Sequence, residues 1–222
     1  MSKAKRDSNA NLGVVTATTG TVEGKDDPAI DVDAVQAAVD EGGSVRLEGK
    51  FNFGNSGSVT ITKSVEITGQ KAVIHGGDIP FVVKAPGERV TIKGVIIKQT
   101  MRTGLQIQAV AGLSIETCTI QNVALDPSQV SPTTAASGIA VQAGAGGTLE
   151  FVGNTLDIGS PAGVNTIGII FNGTGQGGEA RIRLSGNTVK NVTRHGIDLR
   201  NITGQASIVG NTLNTGTVGT QV

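Results

Sequence analysis

The most chemically suggestive stretch of this chain sets a histidine between arginine, aspartate and a second arginine: Arg194-His195-Gly196-Ile197-Asp198-Leu199-Arg200. Histidine shuttles protons near neutral pH, and arginine can neutralise a carboxylate through a bidentate pair. Together these are ingredients for β-elimination or C5 epimerisation of an acidic polysaccharide. His195 would carry the proton, and Arg194 or Arg200 would hold the uronate. A plainer reading competes. Asp198 and Arg200 stand two apart, so on a strand they share a face and can pair with each other. Arg194 and His195 are then a polar corner before that strand, and this is the leading expectation. His75, before Gly76-Gly77, is a weaker candidate of the same type.

The rest of the inventory narrows the chemistry. The chain has no Trp, no Tyr and five Phe. Sugar faces usually stack on aromatic rings, so a neutral-sugar binder is disfavoured, and acidic glycans held by Lys84, Arg102, Arg194 and Arg200 fit better. Eighteen basic and 18 acidic residues give a formal net charge of zero, which argues against nucleic acid or an anionic membrane as partner. No apolar run approaches the ~20 residues of a membrane-spanning helix. Met1 to Asp7 is charged and no apolar segment follows, so no signal peptide is visible. The single cysteine, Cys118, excludes an internal disulfide framework.

What must position these residues is a repeat. Leu149-Glu150-Phe151-Val152-Gly153-Asn154-Thr155-Leu156 recurs at Ile182–Val189 and again at Ala206–Leu213, with Gly-Asn-Thr each time. Weaker copies put Cys118 and Val95 in the Asn slot, and Val65-Glu66-Ile67-Thr68-Gly69-Gln70 begins another. From Gln70 the slot recurs after 25, 23, 36, 33 and 24 residues. The short spacings are plain coils. The long ones carry turn-rich insertions at about 124–136, 160–165 and 173–178, expected as loops. A fixed period of this kind predicts a solenoid whose units bury apolar faces against each other. Asn154, Asn187 and Asn211 should stack as a structural ladder at one corner, with Cys118 as its buried, unreactive extension.

Each coil holds a further strand opened by glycine, at Gly104, Gly138, Gly168 and Gly196. Period-two alternation sends Leu105/Ile107, Ile139/Val141, Ile169/Phe171 and Ile197/Leu199 inward, with Phe81 and Val83 one coil earlier. Two outward columns remain: Val82, Gln106, Ala140, Ile170, Asp198, and Lys84, Gln108, Gln142, Asn172, Arg200. Lys84, Gln108, Gln142 and Asn172, with Arg102, are the candidate ligand-binding residues. Calcium wants about six to eight oxygen ligands. Asp198 is the one carboxylate on these columns, so neither a metal nor any other cofactor is expected.

Before the coils, Asp27-Pro28 reads as a helix start that can slip to Asp31, with Val32, Val35 and Val39 at helical spacing and Gly42-Gly43 as the stop. Such a helix would cover the open core of the first coil. The helix, then Gly-Gly, then Val45-Arg46-Leu47-Glu48-Gly49-Lys50-Phe51, resembles the N-terminal cap of the pectate-lyase-like superfamily. The Gly-Asn-Thr-aliphatic corners resemble its generic repeat. The resemblance covers residues 28–222 and implies an all-β, single-stranded right-handed parallel β-helix with a short capping α-helix. It implies a helix cap at about 28–42, coils over 44–222, and a partly flexible tail over 1–27. It also implies a ligand groove on one strand face and an extracellular or cell-surface setting, but says little about activity. A leucine-rich repeat is the competing fold, since Ile182-x-Leu184-x-x-Asn187-x-Val189 fits its core. Gly146, where that pattern wants Leu, and the second β pattern in each coil count against it.

The function expected is a structural or adhesive module that contacts an acidic polysaccharide. The alternative is a calcium-independent lyase or epimerase using His195 with Arg194 or Arg200. The segment after Leu213 carries no evident cap, so self-association or a missing C-terminal domain is expected, or coverage of that end by Leu12–Val22.

Overall fold

The computed structural model describes residues 19–126, 128, 135–159, 163–176 and 178–214. Among these residues it is mostly β, with one α-helix and two open sheets of parallel strands. What the sequence leads one to expect of residues 1–18 and 215–222, and of most of the first insertion, lies outside the described residues.

Within the two sheets the strands form three stacks. The first holds β1 (Thr19–Glu23), β2 (Gly43–Glu48) and β5 (Val65–Gly69), then the second halves of β7 (Phe81–Lys93), β9 (Leu105–Glu116) and β11 (Ala136–Val152), and finally β14 (Ala180–Ser185) and β17 (Gly204–Val209). The second is a ladder of three-residue strands: β3 (Lys50–Asn52), β6 (Val73–His75), β8 (Ile96–Lys98), β10 (Thr119–Gln121), β12 (Thr155–Asp157), β15 (Thr188–Lys190) and β18 (Thr212–Asn214). The third holds β4 (Val59–Ile61), the first halves of β7, β9 and β11, then β13 (Thr166–Asn172) and β16 (His195–Arg200). Every pairing joins a strand to its counterpart one repeat away, in parallel. Such an arrangement buries one continuous apolar column, and all five Phe are fully buried in it.

The glycines that open the third-stack strands have a steric cause. A Cβ on Gly104 would lie 2.6 Å from Ile120 Cγ2, one on Gly138 2.6 Å from Ile158 Cδ1, and one on Gly168 2.3 Å from Val189 Cγ1. These positions face the core where the second stack crosses beneath them, and no side chain fits.

At the corner between the first and second stacks the asparagines form a continuous chain of amides. Asn187 Oδ1 accepts from Asn154 N at 3.0 Å and Asn154 Nδ2 at 2.9 Å. Asn187 Nδ2 donates to Asn211 Oδ1 and to Phe151 O, both at 2.8 Å. Asn154 repeats the pattern toward Cys118 N (2.9 Å) and Ile115 O (2.8 Å). Cys118, 3 % exposed, ends the chain, with Sγ 3.5 Å from Ile92 O, the carbonyl equivalent to Ile115 and Phe151. Burial pushes its thiol up to about 11.

One expected corner residue is wrong. Gln70 is exposed and bonds Arg46, while the buried Ala72 occupies the slot, its carbonyl accepting from Ile96 N as Val95 O does from Thr119 N. Lys71, at φ 66°, closes a tight turn with Gly69 that adds residues before the corner. With Ala72 in place the first two spacings are both 23.

Helix α1 spans Asp31–Glu41, the later of the two starts. Asp27 instead makes an Asx turn, its Oδ1 accepting from Ala29 N at 2.9 Å. Val35 and Val39 are buried, and Gly42 and Gly43 stop the helix at φ 77° and 79°. Gln36 behaves as a surrogate strand: its amide accepts from Thr60 N (2.8 Å) and donates to Thr60 O (2.9 Å) on the edge of β4. The carboxylate of Asp31, 1 % exposed, accepts backbone N–H groups of Lys25, Asp27 and Asn52 at 2.7–3.0 Å. It ties the segment before the helix to the first repeat. Thr19–Glu23, inside the stretch expected as a tail, forms a strand that pairs along β2. That pairing also removes Thr19–Val22 from any part in covering the opposite end, where Ile208 and Val209 are 39 % and 62 % exposed.

Candidate functional site

A cavity of 480 Å³ on the third stack crosses β9, β11, β13 and β16. The register of the first outward column, Val82–Gln106–Ala140–Ile170–Asp198, is intact from strand to strand, and its middle members Gln106, Ala140 and Ile170 line the cavity. Its walls carry Arg102, Arg194 and Arg200, with Gln106, Gln142 and Asn172.

The second column does not run as the alternation implies. Val83 pairs with Ile107, but Lys84 pairs with Ala109, so Gln108 is an extra residue in β9. A second irregularity lies between Val141 and Gly144 of β11. Bulges of this kind leave a residue unpaired and re-aim its neighbours. Asn172 and Arg200 still stand side by side. Lys84 and Gln108 do not line the cavity, and Gln108 Nε2 instead donates to Gln106 Oε1 at 3.1 Å. Of the five expected ligand-binding residues, Arg102, Gln142 and Asn172 are brought together.

Two of the three arginines are already engaged. Arg200 Nε lies 3.0 Å from each carboxylate oxygen of Asp198, and its Nη2 bonds Oδ2. The Asp198 bond holds the Arg200 guanidinium above its usual range. Asp198 is 4 % exposed, so a buried carboxylate fixes a partly exposed arginine. Arg102 pairs with Asp78 through Nε and Nη2 in the same fork geometry, and that bond raises it likewise. Sequence reasoning missed Asp78, which lies 24 residues from Arg102, one repeat back. The repeat spacing was the signal that could have found it. The Arg194 backbone N–H is anchored on Thr166 O at 3.0 Å. Its side chain lines the cavity with no hydrogen bond or ion pair among the described residues.

His195 is 5 % exposed and is not part of the cavity lining. Its Nε2 stands 3.9 Å from Asp198 Oδ2, and its Nδ1 is buried without a partner. Of the two residues expected at a polar corner, His195 is thus buried beside Asp198, while Arg194 borders the cavity. His75 lies elsewhere, its Nε2 2.6 Å from Asp26 Oδ1. Bonds from Lys50 and from His75 hold the Asp26 carboxyl below its ordinary range. No group of three or more His, Cys, Asp or Glu side chains suited to a metal ion occurs among the described residues.

No known family, curated protein or solved structure matches the chain.

Proposed function

We propose that this protein is a right-handed parallel β-helix, similar in kind to the pectate-lyase-like superfamily, and serves as a structural or adhesive module that binds an acidic polysaccharide on its third strand face. The architecture is supported by parallel pairing at one-repeat separation in all three stacks, by the amide ladder, and by α1 packed against the first strands. Parallel crossovers are right-handed in about 98% of cases. An extracellular or cell-surface setting follows by analogy with that fold.

The observation that carries the binding reading is the cavity itself: three arginines and neutral amides line one concavity across four repeats, together with the apolar Ala140, Ile167 and Ile170. The elimination or epimerisation alternative is less well supported. A general base must reach the proton it abstracts, and His195 is buried and does not line the cavity. Titration of the full chain with alginate, pectate and glycosaminoglycans tests both. Saturable binding without the ultraviolet absorbance of unsaturated uronates is the expected result. A calcium-independent rise in that absorbance, abolished by His195→Ala, would move the assignment to a lyase.

A further inference from the structure

We infer that the ligand is sparsely charged: a single anionic group flanked by neutral sugar units, with Arg194 as the residue that meets the anion. This deepens the glycan-binding reading and rests on it.

The charge count around the cavity is the first argument. Arg102, Arg194 and Arg200 supply three positive charges to the lining, and the Asp78 and Asp198 carboxylates bonded to two of them take away two, leaving one. A guanidinium recognises a carboxylate best through a two-pronged fork. On Arg102 and Arg200 the Nε and Nη2 edge of that fork is already occupied. Asp198 is buried, so releasing Arg200 to a ligand would strand a carboxylate without its partner, a costly exchange. Arg194 belongs to the same lining, and its guanidinium makes no hydrogen bond or ion pair among the described residues.

The second argument is what surrounds Arg194. Thr103, Gln106, Ser137, Gln142 and Asn172 are the other polar residues of the lining among the described residues, and all are neutral donors and acceptors suited to hydroxyl and amide groups. Adjacent strands stand about 4.8 Å apart, so a polymer with a charge on every unit would set further carboxylates over neighbouring repeats. There they would meet amides, or guanidinium groups already neutralised by Asp78 and Asp198. A ligand with one charge amid neutral units leaves no anion uncompensated.

Calorimetric titration of the full chain with three oligosaccharides of equal length decides the point. The probes are a hyaluronan fragment with one carboxylate per two sugars, an oligogalacturonate with one per sugar, and a neutral cello-oligosaccharide. The hyaluronan fragment is expected to bind at least tenfold tighter than the other two. Arg194→Gln should weaken it at least tenfold with an unchanged melting temperature, and Arg194→Lys should restore part of the loss. If the oligogalacturonate binds as tightly or more tightly, the sparse-charge inference is overturned while acidic-glycan binding stands. If no probe binds, or the neutral probe binds equally and Arg194→Gln changes nothing, the reading of the face falls and this inference with it.

Discussion

Replacing Asn187 by alanine tests whether the amide chain, rather than the apolar column alone, holds the repeats in register. Asn187 is fully buried and takes part in four side-chain hydrogen bonds: two accepted from Asn154, and two donated to Asn211 and Phe151 O. Alanine removes all four. Asn154 Nδ2 keeps Ile115 O, and Asn211 Oδ1 keeps the residue 187 N–H, so those partners remain partly satisfied. The Asn154 backbone N–H loses its only side-chain acceptor inside the protein. An intramolecular hydrogen bond contributes about 1 kcal/mol net, and a buried group left unmet costs about 1–3. The expected destabilisation is therefore about 3 kcal/mol. Cys118→Ala is the control. The bond at that corner runs from the backbone N–H of residue 118 to Asn154 Oδ1 and survives the change, so about 1 kcal/mol of lost packing is expected. Urea unfolding followed by circular dichroism and by native-state hydrogen exchange gives both values; the second probe is needed because repeat arrays can lose two-state behaviour. An Asn187→Ala change within 0.5 kcal/mol (about the scatter of surface substitutions) would refute the reasoning, as would a larger cost for Cys118→Ala.

Three further outcomes follow from geometry. Burial makes the Cys118 thiol hold its proton to about pH 11, against an ordinary value of 9.0. The unfolded chain thus releases that proton first as pH rises, and stability should fall between pH 9 and 11 by at most roughly 3 kcal/mol. That part of an alkaline stability profile should vanish in Cys118→Ala. Gly168→Ala drives a methyl into Val189 and Gly196 O, at 2.3 and 2.4 Å. It should cost about 1–3 kcal/mol, whereas Gly20→Ala, with nothing within 4 Å, should leave the melting temperature nearly unchanged. Asp31→Ala removes a carboxylate that satisfies three backbone N–H groups. A loss of about 2–4 kcal/mol is expected, with faster hydrogen exchange in Thr19–Asp27; unchanged exchange there would refute the clip.

The corners were legible in the sequence because their chemistry is local. Gly-Asn-Thr marks each turn, and period-two alternation sets which residues enter the core, so Leu105, Ile139, Ile169 and Ile197 were identifiable without coordinates. The Ala72 corner was hidden because the turn from Gly69 to Lys71 adds residues before it, so that Gln70 stood directly after the glycine where the slot is counted. The candidate site was legible only in its members. Arg102, Gln142, Asn172, Arg194 and Arg200 were named, but a bulge at Gln108 cannot be read from alternation that continues undisturbed through it. The Asp78 partner of Arg102 and the inward turn of His195 depend on contacts between repeats, and no local pattern encodes them.

The corners also differ in how much chain they admit. At the asparagine corner the turn between the first and second stacks is the same Gly-Asn pair in each of the last three repeats, and an added residue there would break the amide chain. The other two corners hold nearly all the variation in repeat length, between Gln121 and Ala136, between Asp157 and Thr166, and between Asn172 and Ala180. Two of these connections join the ladder of short strands to the third stack, and Ala135 and Ala136, where one of them ends, border the cavity. The molecule thus separates a conserved-length spine from an editable rim. Loops grafted at the rim could alter what the cavity recognises while the spine keeps its spacing, which makes this chain a natural display scaffold.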